Sequence, residues 1–243
     1  MSVMSLLSAA SFADLREIWQ TVDFDRLGIT FCDGSNIASV SGSLLFSGVS
    51  FRYALQACPA PTARHHIFCN ADLSDIQSAV HIDLGAAVAS GRTVPAIVQV
   101  MLELGYILGR NLGIKAVLWS PAAVVSGFDY YAEAVAQYAE GAAFPALLCV
   151  GFDMSTIGMV QTIGLAWLCD QELSFAHGQL PAHEAMRYVV RLVHDLATQG
   201  AYDRALELPG LHADEVVVVT PSPDQGTVNA SLVNGKGAIN AAQ

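Results

Sequence analysis

Two side chains in the first half of the chain are suited to proton transfer. His81 and Asp83 stand two apart in a segment that predicts a β-strand, so both face the same side of a sheet. A carboxylate that orients an imidazole is half of a general-base arrangement. The sequence has no Gly-x-Ser-x-Gly motif, and none of its cysteines stands in a recognised catalytic motif. A hydrolase site and a structural pair on a sheet surface both stay open.

A second candidate site depends on topology. The apolar runs 115–119 and 145–150 predict neighbouring strands of a central sheet, with a helix between them. If these strands are parallel, their carboxyl ends lie at one sheet edge, where α/β proteins place ligands. Trp119 would then form a stacking wall, and Ser120 and Asp153 would supply polar groups. The alternative is that Trp119 belongs to the core and Asp153 to a turn.

Metal and nucleotide motifs are missing from the sequence. His65 and His66 are adjacent, so on a strand they point to opposite faces and do not bind one metal together. His183 and Glu184 do not form a zincin motif, because Arg187 stands where the second histidine should be. No P-loop and no Gly-x-Gly-x-x-Gly motif occurs. We therefore expect neither a metal nor a cofactor.

A polar row is predicted on the last long helix, over 181–199. Its members are spaced by four, and they are His183, Arg187, Arg191 and Asp195. Such a row could bind an anionic ligand. It is equally typical of a solvated helix face with ion pairs between successive turns.

The composition favours a protein that covers part of its surface with another subunit. Of the 243 residues, 53% are hydrophobic and only 14% are charged, against about a quarter in typical domains. We therefore predict a homodimer with an apolar interface, and a further protein partner is a second expectation. A membrane span is not predicted, because the longest apolar segment, 94–108, is interrupted by Gln99 and Glu103 and is shorter than about 20 residues.

The net charge and the cysteines indicate where the protein is located and whether it binds nucleic acids. A net charge of −11 would repel phosphates, so nucleic-acid binding is not expected. The first basic residue is Arg16, so residues 1–13 lack the basic start of a secretory signal. Five irregularly spaced cysteines are typical of reduced thiols. Together these features predict a cytoplasmic protein.

The order of predicted elements indicates an α+β fold. We expect a mixed central sheet with packed helices and strand–helix–strand units, forming a single domain over 1–220 and a loose C-terminal tail over 221–243. Ser11, Thr93 and Ser126 are predicted helix caps. Glycines spaced by four on the helix from Val94, which are Gly105, Gly109 and Gly113, predict close packing against a sheet.

The chain also resembles a known family over residues 40 to 200. The segments that carry the resemblance are Ala116-Val-Leu-Trp-Ser-Pro121, Phe128-x-Tyr-Tyr131, Phe144-Pro145, Thr162-Ile-Gly-Leu165, Glu172-Leu173, Pro59-Ala-Pro61 and the strand of His81. In this order they resemble the bacterial domain-of-unknown-function 4261 family. The resemblance implies a small bacterial, cytoplasmic α+β domain, and it carries over no catalytic residue.

Three functions are consistent with these features. The sequence favours a non-catalytic interaction or accessory (immunity-type) protein, because charge is low and no reactive constellation is visible. The alternatives are a small-molecule-binding domain or a hydrolase, with a site at the Trp119/Asp153 strand edge or at the His81/Asp83 pair.

Overall fold

The chain forms two compact units that each combine helices with a sheet. The computed structural model describes residues 2–58, Pro61 and residues 63–234. The units are Met1–Cys149 and Val150–Gln243, and each contains one mixed sheet. The predicted α+β class is therefore confirmed. No helix among the described residues has both the length and the apolar character needed to span a bilayer.

Within the described residues, the sheet of the first unit has eight strands. They are β1 (Met4–Ser8), β2 (Ile29–Cys32), β3 (Ser41–Phe46), β4 (Val49–Ala57), β5 (His65–Ile67), β6 (Ser78–Leu84), β7 (Ala116–Trp119) and β8 (Val124–Gly127). Their spatial order is β2-β3-β4-β6-β1-β7-β8-β5, and neighbours are antiparallel except β5 and β8. The first strand of the chain is thus internal to the sheet, between β6 and β7.

Three helices cover one face of this sheet. They are α1 (Phe12–Thr21), α2 (Pro95–Leu112) and α3 (Phe128–Ala139). Tyr53, Met4 and Trp119 lie in one register row across the strands and are at most 3% exposed. Trp19 of α1 stacks on Tyr53 at 5.0 Å between ring centroids, and the Tyr131 hydroxyl of α3 lies 3.4 Å from the Met4 sulfur. This row therefore marks the helix-covered face.

The predicted helix caps are confirmed in one case of three. Ser11 caps α1, since its hydroxyl accepts a hydrogen bond from the backbone N–H three residues on, at 3.2 Å. The cap predicted at Thr93 is wrong, because Val94 occupies that position of α2. The cap predicted at Ser126 is also wrong, because Ser126 belongs to β8 and Gly127 precedes α3.

Gly105 and Gly109 of α2 allow close packing, but mainly against α3 and not against the sheet as predicted, and a Cβ on Gly113 would meet no atom within 4 Å. A Cβ on Gly105 would lie 2.5 Å from the Tyr131 hydroxyl and 2.8 Å from the terminal methyl of Met4. A Cβ on Gly109 would overlap an aromatic ring of α3. Gly113 ends the helix with φ +63°, a conformation that favours glycine.

The strand predicted over 145–150 is wrong. Residues Ala146–Cys149 form a short helix, α4, and the neighbours of β7 are β1 and β8. Three of the four helical side chains are buried, and Val150 is 1% exposed. A short run that is buried all round has no periodicity to distinguish a helix from a strand.

Six strands form the sheet of the second unit over the described residues. They are β9 (Gly151–Asp153), β10 (Met159–Ile163), β11 (Glu172–Ala176), β12 (Leu206–Pro209), β13 (Glu215–Pro221) and β14 (Thr227–Asn234), in the order β12-β13-β14-β11-β10-β9. The short helix α5 (Ala166–Cys169) lies between β10 and β11 in the chain. Helix α6 (Ala182–Gln199) packs on β10 and β11 through buried side chains that include Val189 and Val193.

Part of the predicted loose tail is a strand. Residues 227–234 form β14, which lies between β13 and β11, and Val228 is fully buried. The remaining residues of that prediction, 235–243, lie outside the described residues. The prediction of a single domain over 1–220 stays a prediction beside the two compact units, Met1–Cys149 and Val150–Gln243.

Candidate functional site

The structure does not bring the residues of the predicted strand-edge site together. Trp119 is 2% exposed on the helix-covered face, and Ser120 is 8% exposed at the start of a short 3-10 turn. Asp153 belongs to the second unit, where its Oδ1 accepts a hydrogen bond from the Ser155 backbone at 2.8 Å. The parallel strand pair on which this site depended is not formed, since residues 146–149 form the helix α4. Trp119 is therefore a core residue, as in the alternative, whereas Asp153 is the last residue of β9 and its side chain binds the backbone of the turn that follows.

His81 and Asp83 share one face of the sheet, as their spacing predicts, and it is the face opposite the helices. Strand β6 places His81 directly beside Ser5 of β1. The His81 Nδ1 atom lies 2.8 Å from Ser5 Oγ and 3.1 Å from Ser2 Oγ, and the two hydroxyl oxygens are 3.2 Å apart. The antiparallel register of β1 and β6 therefore brings two serine hydroxyls to one imidazole nitrogen. We call Ser2, Ser5, His81 and Asp83 the serine–histidine cluster.

The carboxylate of this cluster serves other partners than the imidazole. Asp83 Oδ1 accepts a hydrogen bond from the Val3 backbone N–H at 2.7 Å. Asp83 Oδ2 lies 3.9 Å from a guanidinium nitrogen of Arg52 on β4. Because these contacts engage both oxygens, Asp83 ties β1 to β6 and β4 rather than orienting His81.

The electrostatics of the cluster keep His81 neutral near pH 7. Burial lowers the pKa of His81, and the nearby negative charge of Asp83 opposes this effect without cancelling it. A neutral imidazole can accept a hydroxyl proton, which is the first requirement of a serine–histidine nucleophile. Ser5, however, is only 2% exposed, so a substrate has little access to its oxygen. The arrangement fits a network that anchors the first strand better than a catalytic centre.

We predict that His81 makes folding stability depend on pH. Its pKa is lower in the folded than in the unfolded chain, so the unfolded chain takes up the proton first as pH falls below about 6.5. Stability should therefore fall from pH 7.5 to 5.5, by about 1 kcal/mol or less because solvent screens this half-buried site. Urea unfolding should show that His81→Gln reduces this loss. The exposed His183→Gln is the control, and an unchanged pH slope in His81→Gln would contradict the prediction.

Two side chains of the polar row on α6 contact other residues of the second unit. Arg191 donates a hydrogen bond to the Gly210 carbonyl at 2.8 Å, and the exposed His183 lies 3.9 Å from Glu184. Tyr188, on the same helix, donates a short hydrogen bond to Glu215, and burial together with that bond raises the pKa of Tyr188 to about 12. These contacts connect α6 to the β12–β13 segment, and they do not converge on a ligand.

The first unit contains a pocket that the sequence did not predict. A cleft of about 340 Å³ lies between the end of α1, the turn after it, β2 and the loop that follows β2. Its walls include two phenylalanine rings and two carboxylates, which are Phe24, Phe31, Asp23 and Asp25. The only sequence signal was the interleaving of acidic and aromatic residues over 22–31, which is too common to predict a site.

The serines of the cluster were also missed. Ser2 and Ser5 stand 79 and 76 residues before His81, and only the pairing of β1 with β6 brings them together. No local motif predicts the pairing of β1 with β6. Within the part of the chain that the structure describes, no group of three His, Cys, Asp or Glu side chains could hold a metal ion.

Comparison with known proteins adds no relative from which a function could be transferred. No protein-family model, no curated protein and no solved structure matches this chain. The resemblance to the bacterial domain-of-unknown-function 4261 family therefore stays a prediction.

Proposed function

We propose that this protein is a non-catalytic interaction protein of the accessory (immunity) type. The observation that carries the proposal is an apolar hairpin tip between β9 and β10. There Ile157 is 99% exposed and Met154 is 41% exposed. Covering an isoleucine side chain gains about 1.5–3 kcal/mol, so this tip is suited to insertion into an apolar pocket of a partner.

The partner that the composition favours first is a second copy of the chain. With 14% charged residues, few ion pairs are available to hold an interface, while apolar side chains are abundant. A symmetric dimer covers the same patch on both subunits. We further propose a bacterial, cytoplasmic setting, which rests on the family resemblance and on the cysteine usage.

We expect Ile157→Asp to convert a dimer into a monomer. A buried aspartate at this position would lose the apolar contact and would need its charge desolvated, so the dimer Kd should rise at least tenfold. Size-exclusion chromatography with light scattering at micromolar concentration measures the mass. Moderate salt should leave the wild-type dimer intact, because screening weakens charged contacts and not apolar ones.

The matched control is Val40→Asp, which introduces the same charge at an exposed valine (39% exposed) of the first unit. It should leave the mass unchanged. A monomeric wild-type protein would contradict the homodimer. Capture of the same host proteins by wild type and Ile157→Asp would then contradict the use of this hairpin for any partner.

A hydrolase is the second candidate, and the contact between Ser5 and His81 is what favours it. A fluorophosphonate probe reports an activated serine directly, since it labels only a nucleophilic hydroxyl. Labelling of Ser2 or Ser5 that is lost in His81→Gln would support the hydrolase and would overturn the non-catalytic proposal. Under the non-catalytic proposal neither serine is labelled.

A further inference from the structure

The cleft at the end of α1 has the chemistry of a site for an organic cation. Its volume of about 340 Å³ is at the lower end of the range of about 300–1,000 Å³ typical of small-molecule sites. The cleft belongs entirely to the first unit, and none of its lining residues belongs to the serine–histidine cluster. We call it the α1 cleft.

Aromatic rings form the apolar wall of the α1 cleft. The centroids of Phe24 and Phe31 are 4.8 Å apart, and Trp19 packs behind Phe24 at 4.7 Å. Phe24 and Trp19 are buried, whereas Phe31 is half-buried and borders the cleft. Such a ring cluster is held rigidly by its own packing. The faces of aromatic rings carry partial negative charge, so they attract a cation as well as an apolar group.

Two carboxylates stand at the rim of the same cleft. Asp23 and Asp25 are exposed and line it, and no lysine, arginine or histidine is among its lining residues. Within the described part of the chain, neither carboxylate has an ion-pair partner within 4.0 Å. Asp23 is held in place because its Oδ1 accepts a hydrogen bond from the Arg26 backbone at 3.1 Å. The rim therefore carries two carboxylates that are not in an ion pair, in a chain of net charge −11.

The loop after β2 also lines the cleft, and hydrogen bonds within it and to β3 and β4 hold it. The Asn36 side-chain oxygen accepts from the Ala38 backbone at 2.9 Å, and the Asn36 carbonyl accepts from the Tyr53 hydroxyl at 3.3 Å. Ser35 accepts from the Ser43 backbone at 3.0 Å. A preformed rim reduces the ordering cost of binding.

We propose that the α1 cleft binds a small organic ammonium ion, with its methyl or methylene groups against Phe24 and Phe31 and its charge between Asp23 and Asp25. Neither the hairpin tip at Ile157 nor a dimer is needed for this binding, so it goes beyond the proposed interaction function. Aromatic wall and anionic rim select together for a cation that carries an apolar surface. An inorganic cation lacks the apolar surface, and a neutral molecule lacks the charge.

The test compares choline with 3,3-dimethylbutan-1-ol, its neutral isostere, in NMR titrations of the full ¹⁵N-labelled chain. Choline should shift the amide signals of residues 22–37 in a saturable way, and the isostere should bind at least tenfold more weakly. Raising the ionic strength should weaken choline binding, because the rim carboxylates are exposed to solvent.

Variants of the carboxylates and of the aromatic wall measure the two contributions to binding separately. The double variant Asp23→Asn, Asp25→Asn keeps the size of both side chains but removes both charges, and it should weaken choline binding at least tenfold. Phe31→Leu should weaken it severalfold through loss of the ring face. Asp33→Asn, an exposed carboxylate that does not line the cleft, is the control and should bind like wild type. Absence of saturable shifts with choline, equal binding of the neutral isostere, or unchanged binding by the double variant would each overturn the proposal.

Discussion

Replacing Glu172 by alanine should destabilise the second unit by about 3 kcal/mol or more. The carboxylate accepts hydrogen bonds from the backbone N–H groups of Gly164 at 2.7 Å and of Leu165 and Ala166 at 3.2 Å each. It also accepts from the Thr162 hydroxyl at 2.6 Å. Four donors around α5 would lose their acceptor together. A buried donor without an acceptor costs about 1–3 kcal/mol, and water can replace only part of what is lost here.

Urea unfolding followed by circular dichroism measures this effect. Glu172→Gln should be intermediate, because the amide keeps one acceptor oxygen and loses the charge that strengthens the bonds. Glu207→Ala is a suitable control, since Glu207 is exposed on β12. A loss below about 0.5 kcal/mol in Glu172→Ala would show that the carboxylate does not hold α5.

Gly105→Leu should destabilise the first unit by about 3 kcal/mol, although leucine is the better helix former. Leucine in place of glycine gains most of the roughly 1 kcal/mol by which alanine exceeds glycine in a helix interior. At this site, however, a Cβ alone would lie 2.5 Å from the Tyr131 hydroxyl and 2.8–2.9 Å from the end of the Met4 side chain. Tyr131 has no room to retreat, because it is 1% exposed and donates a hydrogen bond to the Leu102 carbonyl at 2.8 Å. Overpacking of this kind costs about 1–3 kcal/mol or more.

Asn111→Leu on the same helix gives the comparison. Asn111 is exposed, so the same side chain is added where there is space, and stability should stay within about 0.5 kcal/mol of wild type. Thermal unfolding of both variants measures the difference. If Gly105→Leu were as stable as Asn111→Leu, α2 would not approach Met4 and Tyr131 as closely as the structure has it.

Helices with strong local signals were predictable from the sequence. The buried side chains of α6, among them Val189 and Val193, recur at helical spacing, and Gly200 ends the helix as predicted. Ser11 and Gly113 were recognisable as helix ends for the same reason. Each of these signals is complete within a few residues, so no knowledge of the rest of the chain is needed.

Two elements, α4 and β14, could not be predicted, because contacts with distant parts of the chain determine their secondary structure. The run 145–150 is apolar on every side, and its surroundings select a helix. The segment of β14 contains polar residues such as Asn229 and Ser231, which are typical of a loop, and it becomes a strand because β11 and β13 pair with it on both sides. In both cases tertiary contacts outweigh local propensity.

Three features could be predicted without the structure: His81 and Asp83 share a face, α2 packs closely at Gly105 and Gly109, and the fold is α+β. These follow from side-chain periodicity, which is a property of neighbouring residues. Three other features are visible only in the folded chain: Ser2 and Ser5 contact His81, Asp83 binds the Val3 backbone, and Phe24 and Phe31 border a cleft. The reason is physical: these contacts depend on which strands pair and in which register, and that choice is made by burial of the whole chain rather than by any short segment.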